Sequence, residues 1–333
     1  MKIDNLIRIV DGVLQTTPSI DAFETIVFDC ERISRGDLFI DTTHSKQAIH
    51  TAIRKGAYAI LSTHTFEGDD DEIAWIYVSC LEQSLIKLLR YRVAQNSLQV
   101  IHASSLHAAF LHLLHTPSTI TFAKGNLFDV AKVILKLAKE MPVCLEDNTL
   151  CAHIAPSAQS IEKGLHVNVL HKGLFLSSFW WKERYYPDVK IPMLFWSEFT
   201  DVLHFCEIHS IAYSLENISF TEHFYPQFIT PSLRKKEFGS SDQVLIFEPS
   251  IELLAREINH MLSTLPQEHW CVCLPKHLPT PKHLPFCTIH TYEIPEALSL
   301  LSSFAFRYAL ILGERSTFEA LLTQPFISQP SLF

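Results

Sequence analysis

Apolar positions along residues 20–95 switch between two periods. Glu24–Phe28 and Leu38–Ile40 are short runs rich in β-branched and aromatic side chains, the pattern of strands. Lys46–Lys55 spaces its apolar residues along one helix face and is closed by Gly56, a residue suited to the left-handed turn that ends helices. Ala57–Ser62 and Trp75–Val78 predict two more strands. Leu81–Val93, with apolar residues three and four apart, predicts a helix. Strands alternating with helices point to an α/β unit built on a largely parallel sheet.

The same texture resumes at Gln99, with a strand at Val100–Ala103, a helix at Leu106–Leu114, a strand at Thr119–Phe122 and a long amphipathic helix over Asn126–Glu140. The stretch VCLEDNTLCAH that follows reads as a turn between strands. From 165 to 200 an aromatic-rich alternation predicts paired strands with a turn at Tyr186-Pro187-Asp188, followed by a helix over Asp201–Ser210. A further α/β stretch begins near Asp242. Its strands are Val244–Phe247, Trp270–Leu274, Thr288–Thr291 and Tyr308–Leu312, and its helices Ser250–Leu262 and Pro295–Ser303. Between them, a tandem Pro-Lys-His-Leu-Pro repeat over 275–285 reads as a stiff exposed loop, because proline lacks the N–H that helices and inner strands need. These shifts divide the chain into 1–97, 98–235 and 236–333.

Composition narrows the function classes. At 333 residues the chain is too long for one ordinary core, and 47% hydrophobic against 19% charged residues excludes a disordered protein. A net charge of −9, with both signs mixed along the sequence, argues against a nucleic-acid partner, which requires clustered Lys and Arg. No apolar run is long enough to insert in a membrane, and the opening MKIDNLIRIVDG has no apolar core of a secretory signal, so a cytoplasmic protein is expected. The eight cysteines are scattered and read as small buried apolar residues of a reducing compartment. Cys271 and Cys273 share one face of a strand. His102, His107, His112 and His115 do not converge on one helix face, since only 112 and 115 can be neighbours, and no metal site is expected. Trp180-Trp181 and Tyr185-Tyr186 read first as sheet-packing pairs, with a stacking platform for a base or sugar as the alternative. No nucleophile elbow, dinucleotide fingerprint or paired-cysteine motif is present, so hydrolase and oxidoreductase readings have no support.

One stretch carries more. Asp29-Cys30-Glu31-Arg32-Ile33-Ser34-Arg35-Gly36-Asp37-Leu38-Phe39, continued by Ala52-Ile53-Arg54-Lys55-Gly56-Ala57-Tyr58-Ala59-Ile60-Leu61, resembles the opening domain of the Mur ligases. That family adds amino acids to UDP-linked muramic acid in peptidoglycan synthesis, and writes the region as D-S-R-x-V-x-x-G-D-L-F followed by A-I-x-x-G-A-x-A-V-L. Asp29, Gly36, Asp37, Leu38 and Phe39 match, while Cys30 and Glu31 stand where the family has Ser and Arg. The following loop is shortened to Ile40-Asp41-Thr42-Thr43-His44-Ser45. Further on, Thr121-Phe122-Ala123-Lys124-Gly125-Asn126-Leu127 resembles the family's T-x-G-N-x-N-x segment. Phe247-Glu248-Pro249-Ser250 and Leu312-Gly313-Glu314-Arg315-Ser316 resemble two motifs of its last domain.

The resemblance implies an α/β protein of three domains with a shortened central one, closest in type to the D-alanyl-D-alanine-adding or meso-diaminopimelate-adding members. It also implies a uridine-diphosphate site at Cys30, Thr42, Thr43 and His44, and an anion site at Lys124, Gly125, Asn126, Arg315 and Ser316. The plainer alternatives are a solvated loop at 42–44, a glycine turn with a helix cap at 125–126 and a surface ion pair at Arg315. The departure from the family lies at Val100-Ile101-His102-Ala103-Ser104-Ser105-Leu106-His107-Ala108-Ala109, where its phosphate-binding loop would stand. No glycine and no lysine are present. Without backbone amides closing on the phosphates or a lysine reaching them, ATP and Mg²⁺ are not expected as cofactors and no catalytic residue is assigned. The expected role is a non-catalytic one: holding a UDP-muramoyl peptide or contacting a Mur enzyme. The alternatives are a divergent ligase or a pure interaction module.

Overall fold

The computed structural model describes residues 1–67, 71–114, 120–164, 167–265, 269–278, 288–293, 301–303 and 305–322. Two compact units emerge, Met1–Ala108 with Thr116–Ile161, and Ala109–His115 with Glu162–Phe333.

In the first unit the chain runs α1 (Ile3–Val10), β1 (Val13–Leu14), β2 (Ile26–Val27), β3 (Leu38–Ile40), α2 (Lys46–Arg54), β4 (Ala59–Ser62), β5 (Ala74–Tyr77) and α3 (Leu81–Gln95). It continues as β6 (Gln99–His102), α4 (Ser105–Leu113, its first half in this unit), β7 (Thr121–Ala123), α5 (Leu127–Ile134), β8 (Pro142–Leu145), α6 (Asn148–Ile154) and β9 (Gln159–Ser160). One sheet has the order β1-β5-β4-β3-β2, parallel except for β1; the other has the order β7-β8-β6-β9 and is parallel throughout.

The unbroken apolar runs follow from burial on both faces of a parallel sheet. Leu38, Ile40, Ala59, Leu61, Ala74 and Ile76 turn to one face and join the core formed with α3, whereas Phe39, Ile60 and Trp75 turn to the other and meet Ile49 and Ala52 of α2. Helix α3 packs against α1, α5 and α6, and its Leu85, Leu88 and Leu89 lie in one continuous core with Val100, Val143 and Ile154 around the second sheet.

The second unit holds β10 (Val169–Lys172), β11 (Ser177–Trp181), β12 (Arg184–Val189), α7 (Trp196–Ile208), β13 (Tyr225–Ile229), β14 (Gln243–Glu248), α8 (Ile251–Thr264), β15 (Trp270–Pro275), β16 (Thr288–Tyr292), β17 (Tyr308–Leu312) and α9 (Arg315–Leu322). The first three strands form an antiparallel sheet; the rest form the order β13-β14-β17-β15-β16, with only β13 antiparallel. Phe179 of β11 is fully buried and meets Trp196 and Phe199 of α7 at ring-centroid distances of 4.9 and 5.6 Å.

At the carboxyl end of β14, Glu248 is fully buried. Its carboxylate accepts from His223 Nδ1 at 2.7 Å, Ser250 N at 2.7 Å and Phe224 N at 3.1 Å. Beside it the equally buried Glu257 of α8 has no N–H donor on either oxygen, and burial together with the neighbouring Glu248 pushes its carboxyl up to about 11. Its carboxyl therefore stays protonated at neutral pH.

Three expectations change in the structure. The helix predicted over Asn126–Glu140 ends at Ile134, and Leu135–Glu140 turns through single-turn bonds to a left-handed Glu140. The hairpin turns at Lys182-Glu183, with Lys182 at φ +53°, not at Tyr186-Pro187-Asp188; Pro187 lies inside β12, an edge strand where a missing N–H costs no ladder bond. The stretch read as a turn between strands contains α6, capped by Asp147, whose carboxylate accepts from Leu150 N at 2.9 Å. The helix expected at Pro295–Ser303 and the second copy of the proline repeat lie largely outside the described residues. Among the described residues, no helix is long and apolar enough to cross a membrane.

Candidate functional site

The carboxyl end of β3 carries three of the four residues expected to meet uridine diphosphate, and Cys30 follows β2; the motif itself runs from there back to the amino end of β3, where Gly36 and Asp37 stand. The motif residues prove to be builders of the fold. Asp29 caps a single 3-10 turn by accepting from Glu31 N at 2.9 Å. Gly36 adopts φ +102°, which a side chain would strain, and brings its N–H to the Gly56 carbonyl at 3.2 Å. Asp37 is 5% exposed and accepts from the Thr25 hydroxyl and, at 2.8 Å, from Ser34 N. Leu38 and Phe39 then enter the two opposite cores.

The loop after β3 is organised by Asp41, which is fully buried. Its carboxylate accepts from Thr43 N (3.3 Å), Thr43 Oγ1 (3.2 Å), Ser45 N (3.4 Å) and Ser62 Oγ of β4 (3.3 Å). His44 is left-handed at φ +52°; its Nδ1 is bonded to Thr63 Oγ1 at 3.0 Å, and its carbonyl accepts from His64 Nε2 at 3.1 Å. Thr43 and His44 thus stand exposed on a fixed loop, with Thr42 half-buried beside them. Cys30 is half-buried and packs toward the Phe39 side of the sheet, among Ala48 and Ile53 of α2. An apolar cavity of about 270 Å³ lies on that side, between Ile49, Ile53, Phe66 and Trp75; Cys30, Thr42, Thr43 and His44 do not line it. Asp41 and His64 were missed in the sequence; an aspartate directly after a fully apolar strand was the available signal.

The second set of expected residues divides between the two units. Lys124 follows β7 and pairs with Glu146 after β8 at 2.9 Å. Gly125 has φ +97°, and a Cβ there would lie 2.8 Å from the Asp129 carboxylate. Asn126 caps α5, its side chain accepting from Phe128 N and Asp129 N at 2.9 and 3.1 Å. In the second unit Arg315 lies 4.1 Å over the Tyr225 ring and reaches Glu319 at 3.4 Å, while the Ser316 hydroxyl donates to Glu314 at 3.2 Å. Both line a cavity of about 380 Å³ at the carboxyl ends of β14 and β17, with Pro249 and Glu222.

Where a phosphate-binding loop would connect strand to helix, β6 passes to α4 through Ala103 and Ser104 alone. Ala103 is 1% exposed and gives its N–H to the Leu145 carbonyl at 3.0 Å, and Ser104 Oγ accepts from His107 N at 3.3 Å. Two residues, one with its N–H given to β8, are too few to form a ring of amides around a phosphate chain.

Whole-chain comparison then matches the architecture to known structures. A crystal structure of MurF from Acinetobacter baumannii superposes with a TM-score of 0.61 at 13% identity, covering 96% of this chain and 97% of that one. The chain has the Mur-ligase fold. MurF ligase from Thermotoga maritima, in complex with ADP, matches at TM-score 0.59 and 11% identity over 90% and 96% of the two chains. The UDP-N-acetylmuramoylalanyl-D-glutamyl-2,6-diaminopimelate–D-alanyl-D-alanyl ligase of A. baumannii matches at 0.56 and 13% over 96% and 97%. No protein-family model and no curated protein sequence matches the chain. At such identities the likeness establishes the Mur-ligase fold and leaves the chemistry to the residues.

Proposed function

We propose that this protein serves peptidoglycan precursor metabolism without ligating. It binds a UDP-muramoyl intermediate at the carboxyl ends of the first sheet and presents it, or itself, to a Mur enzyme. The observation that carries the reading is the Ala103–Ser104 connection between β6 and α4, two residues without glycine or lysine, which lacks the length of a triphosphate cradle and its phosphate-reaching cation. Lys124 supports it too, because the cation available at the next strand end is already committed to Glu146. The first sheet's strand ends keep an exposed, polar and conformationally fixed loop at Thr42–His44, whose hydroxyls and imidazole suit a uracil edge.

Thermal-shift titration tests both halves. A ligand at a hundred times its Kd stabilises the native state by about 2.7 kcal/mol. UDP-N-acetylmuramoyl peptides are expected to raise the melting temperature, and His44→Ala to weaken that response; Mg-ATP is expected to leave it unchanged. A Mg-ATP shift abolished by Lys124→Ala would overturn the non-ligating reading. A second reading, a pure interaction module, draws on Trp180 and Tyr185, which are 49% and 43% exposed on the outer face of the β11–β12 hairpin. It predicts no response to either ligand.

A further inference from the structure

The first unit holds a second cavity, of about 630 Å³, away from the strand ends discussed above. Helix α3 starts at the carboxyl end of β5 and runs back along the sheet, so its last two turns lie toward the strands' amino ends. There Tyr91 and Arg92 face the edge strand β2 and the segment leading into it, with Lys136 beyond α5 completing the wall. Phe23, Ile26 and Leu135 give one side of the cavity an apolar surface.

Its cations are unusual for this chain. Lys87 on the same helix is paired with Asp11 at 2.5 Å, and Lys132 on α5 with Asp129 at 3.2 Å. Arg92 and Lys136 have no carboxylate partner among the described residues. Arg92 makes one long bond, from a terminal nitrogen to the Leu137 carbonyl at 3.5 Å, and that carbonyl already accepts from Asn96 Nδ2 at 2.8 Å. Arg92 Nε is buried with no acceptor. Its terminal N–H groups, with only that long bond, remain for an oxyanion in the cavity that Arg92 lines, which a guanidinium holds by charge-assisted bonds. The one acid on the rim, Glu24, is exposed and lies against Gly36, whose Cβ position is 3.3 Å from the Glu24 side chain. The volume falls in the range of small-molecule sites, about 300–1,000 Å³.

We propose that this cavity binds an amphipathic organic anion, its carboxylate or phosphate held by Arg92 and Lys136 and its apolar body laid on Phe23, Ile26 and Leu135. Guanidinium and ammonium supply the charge-assisted bonds, and the apolar wall separates such a ligand from an inorganic ion. The site is independent of the uridine reading, since no residue is shared between the two.

Isothermal titration of the full chain with octanoate, octyl phosphate and octanol tests it. Both anions are expected to bind and octanol not to, and the stronger of the two identifies the headgroup. Lys136→Gln is expected to weaken binding about tenfold; the lysine is exposed, so folding is untouched. Glu24→Gln is expected to strengthen binding a few-fold, and Arg92→Gln to abolish it. Equal affinity for octanol and octanoate, or unchanged affinity in Lys136→Gln, would overturn the proposal. Because UDP-muramoyl peptides are not probes here, failure of this test leaves the proposed function standing.

Discussion

Replacing Glu257 with glutamine is expected to stabilise the second unit, although it alters a fully buried side chain. The charged and titratable neighbours are Glu248 on β14, His223 in the segment before β13, and Arg256 and His260 on α8; Arg256 is itself held by Glu198 of α7. Burial is the largest cause of the raised Glu257 value, with the hydrogen bond to Glu248 and its charge adding to it. The folded state keeps the proton and the unfolded chain releases it above an ordinary value of 4.5, so stability falls as pH rises through the window up to about 11. At pH 7 the loss depends only on the unfolded value. It is 2.5 pH units at about 1.4 kcal/mol each, on the order of 3 kcal/mol. Glutamine donates to Glu248 through its amide and does not titrate, but leaves one N–H without a partner, a cost of about 1 kcal/mol. The net gain at pH 7 is then about 2 kcal/mol, or roughly 4–8 °C in melting temperature for a unit of this size. Urea unfolding followed by tryptophan emission reads it directly, since Trp196 and Trp270 are buried in this unit at 6% and 4% exposure. The signature is the pH dependence: near-equality at pH 5 and a widening advantage for the variant at pH 7 and 8. A variant destabilised by the same amount at every pH would show that Glu257 is ionised in the native protein, and the argument would fail.

Two further outcomes follow from the first unit's strand-end loop and from the cysteines. Asp41→Ala removes the acceptor of four hydrogen bonds, three from Thr43 and Ser45 in the loop after β3 and one from Ser62 of β4, and is expected to cost about 2–4 kcal/mol. Hydrogen exchange should show Thr43 and Ser45 amides losing protection; unchanged protection would mean the loop is held by other contacts. In the native protein at pH 7.5, maleimide is expected to label, among the described cysteines, the half-exposed Cys30 and Cys80 first, detected by peptide mass mapping. Burial pushes the Cys144 and Cys206 thiols up to about 12, so their labelling should require unfolding.

Local pattern was a good guide where one physical constraint dominated. Burial on both faces of a parallel strand leaves an unbroken apolar run, and β3, β6, β14 and β17 each fell within a residue or two of expectation. It failed where a tertiary partner decided. Leu137 has the spacing to continue α5 and is buried, yet the helix ends at Ile134 and the Leu137 carbonyl accepts from the Asn96 amide at the end of α3. β13 was overlooked because Tyr225-Pro226-Gln227 contains a proline, which an edge strand tolerates. Helix α6 was overlooked because its signal was one cap, Asp147, in a stretch too short to show a period. The cavity at Arg92 was beyond local reading, since its walls come from Met1, the 23–27 segment, one face of α3 and Leu135–Lys136.

The site was legible in a different sense from the fold. Asp29, Gly36, Asp37, Leu38 and Phe39 suggested a nucleotide-sugar domain, yet each of them works inside the fold, as a cap, a left-handed turn, a buried acceptor or a core side chain. A motif whose members all serve the fold reports the fold, and the superposition at 11–13% identity carries the same information again. The two agree because they measure one thing. Ligand chemistry is carried by positions the fold leaves free, and here those differ from the pattern. Cys30 turns into the α2 side of the sheet, Glu31 is bound to Lys55 at 2.6 Å, and the β6–α4 connection is two residues long, with the Ala103 N–H given to Leu145. The loop Thr42–His44, held in place by Asp41 from below, is such a position at the first sheet's strand ends: its exposed side chains serve no core.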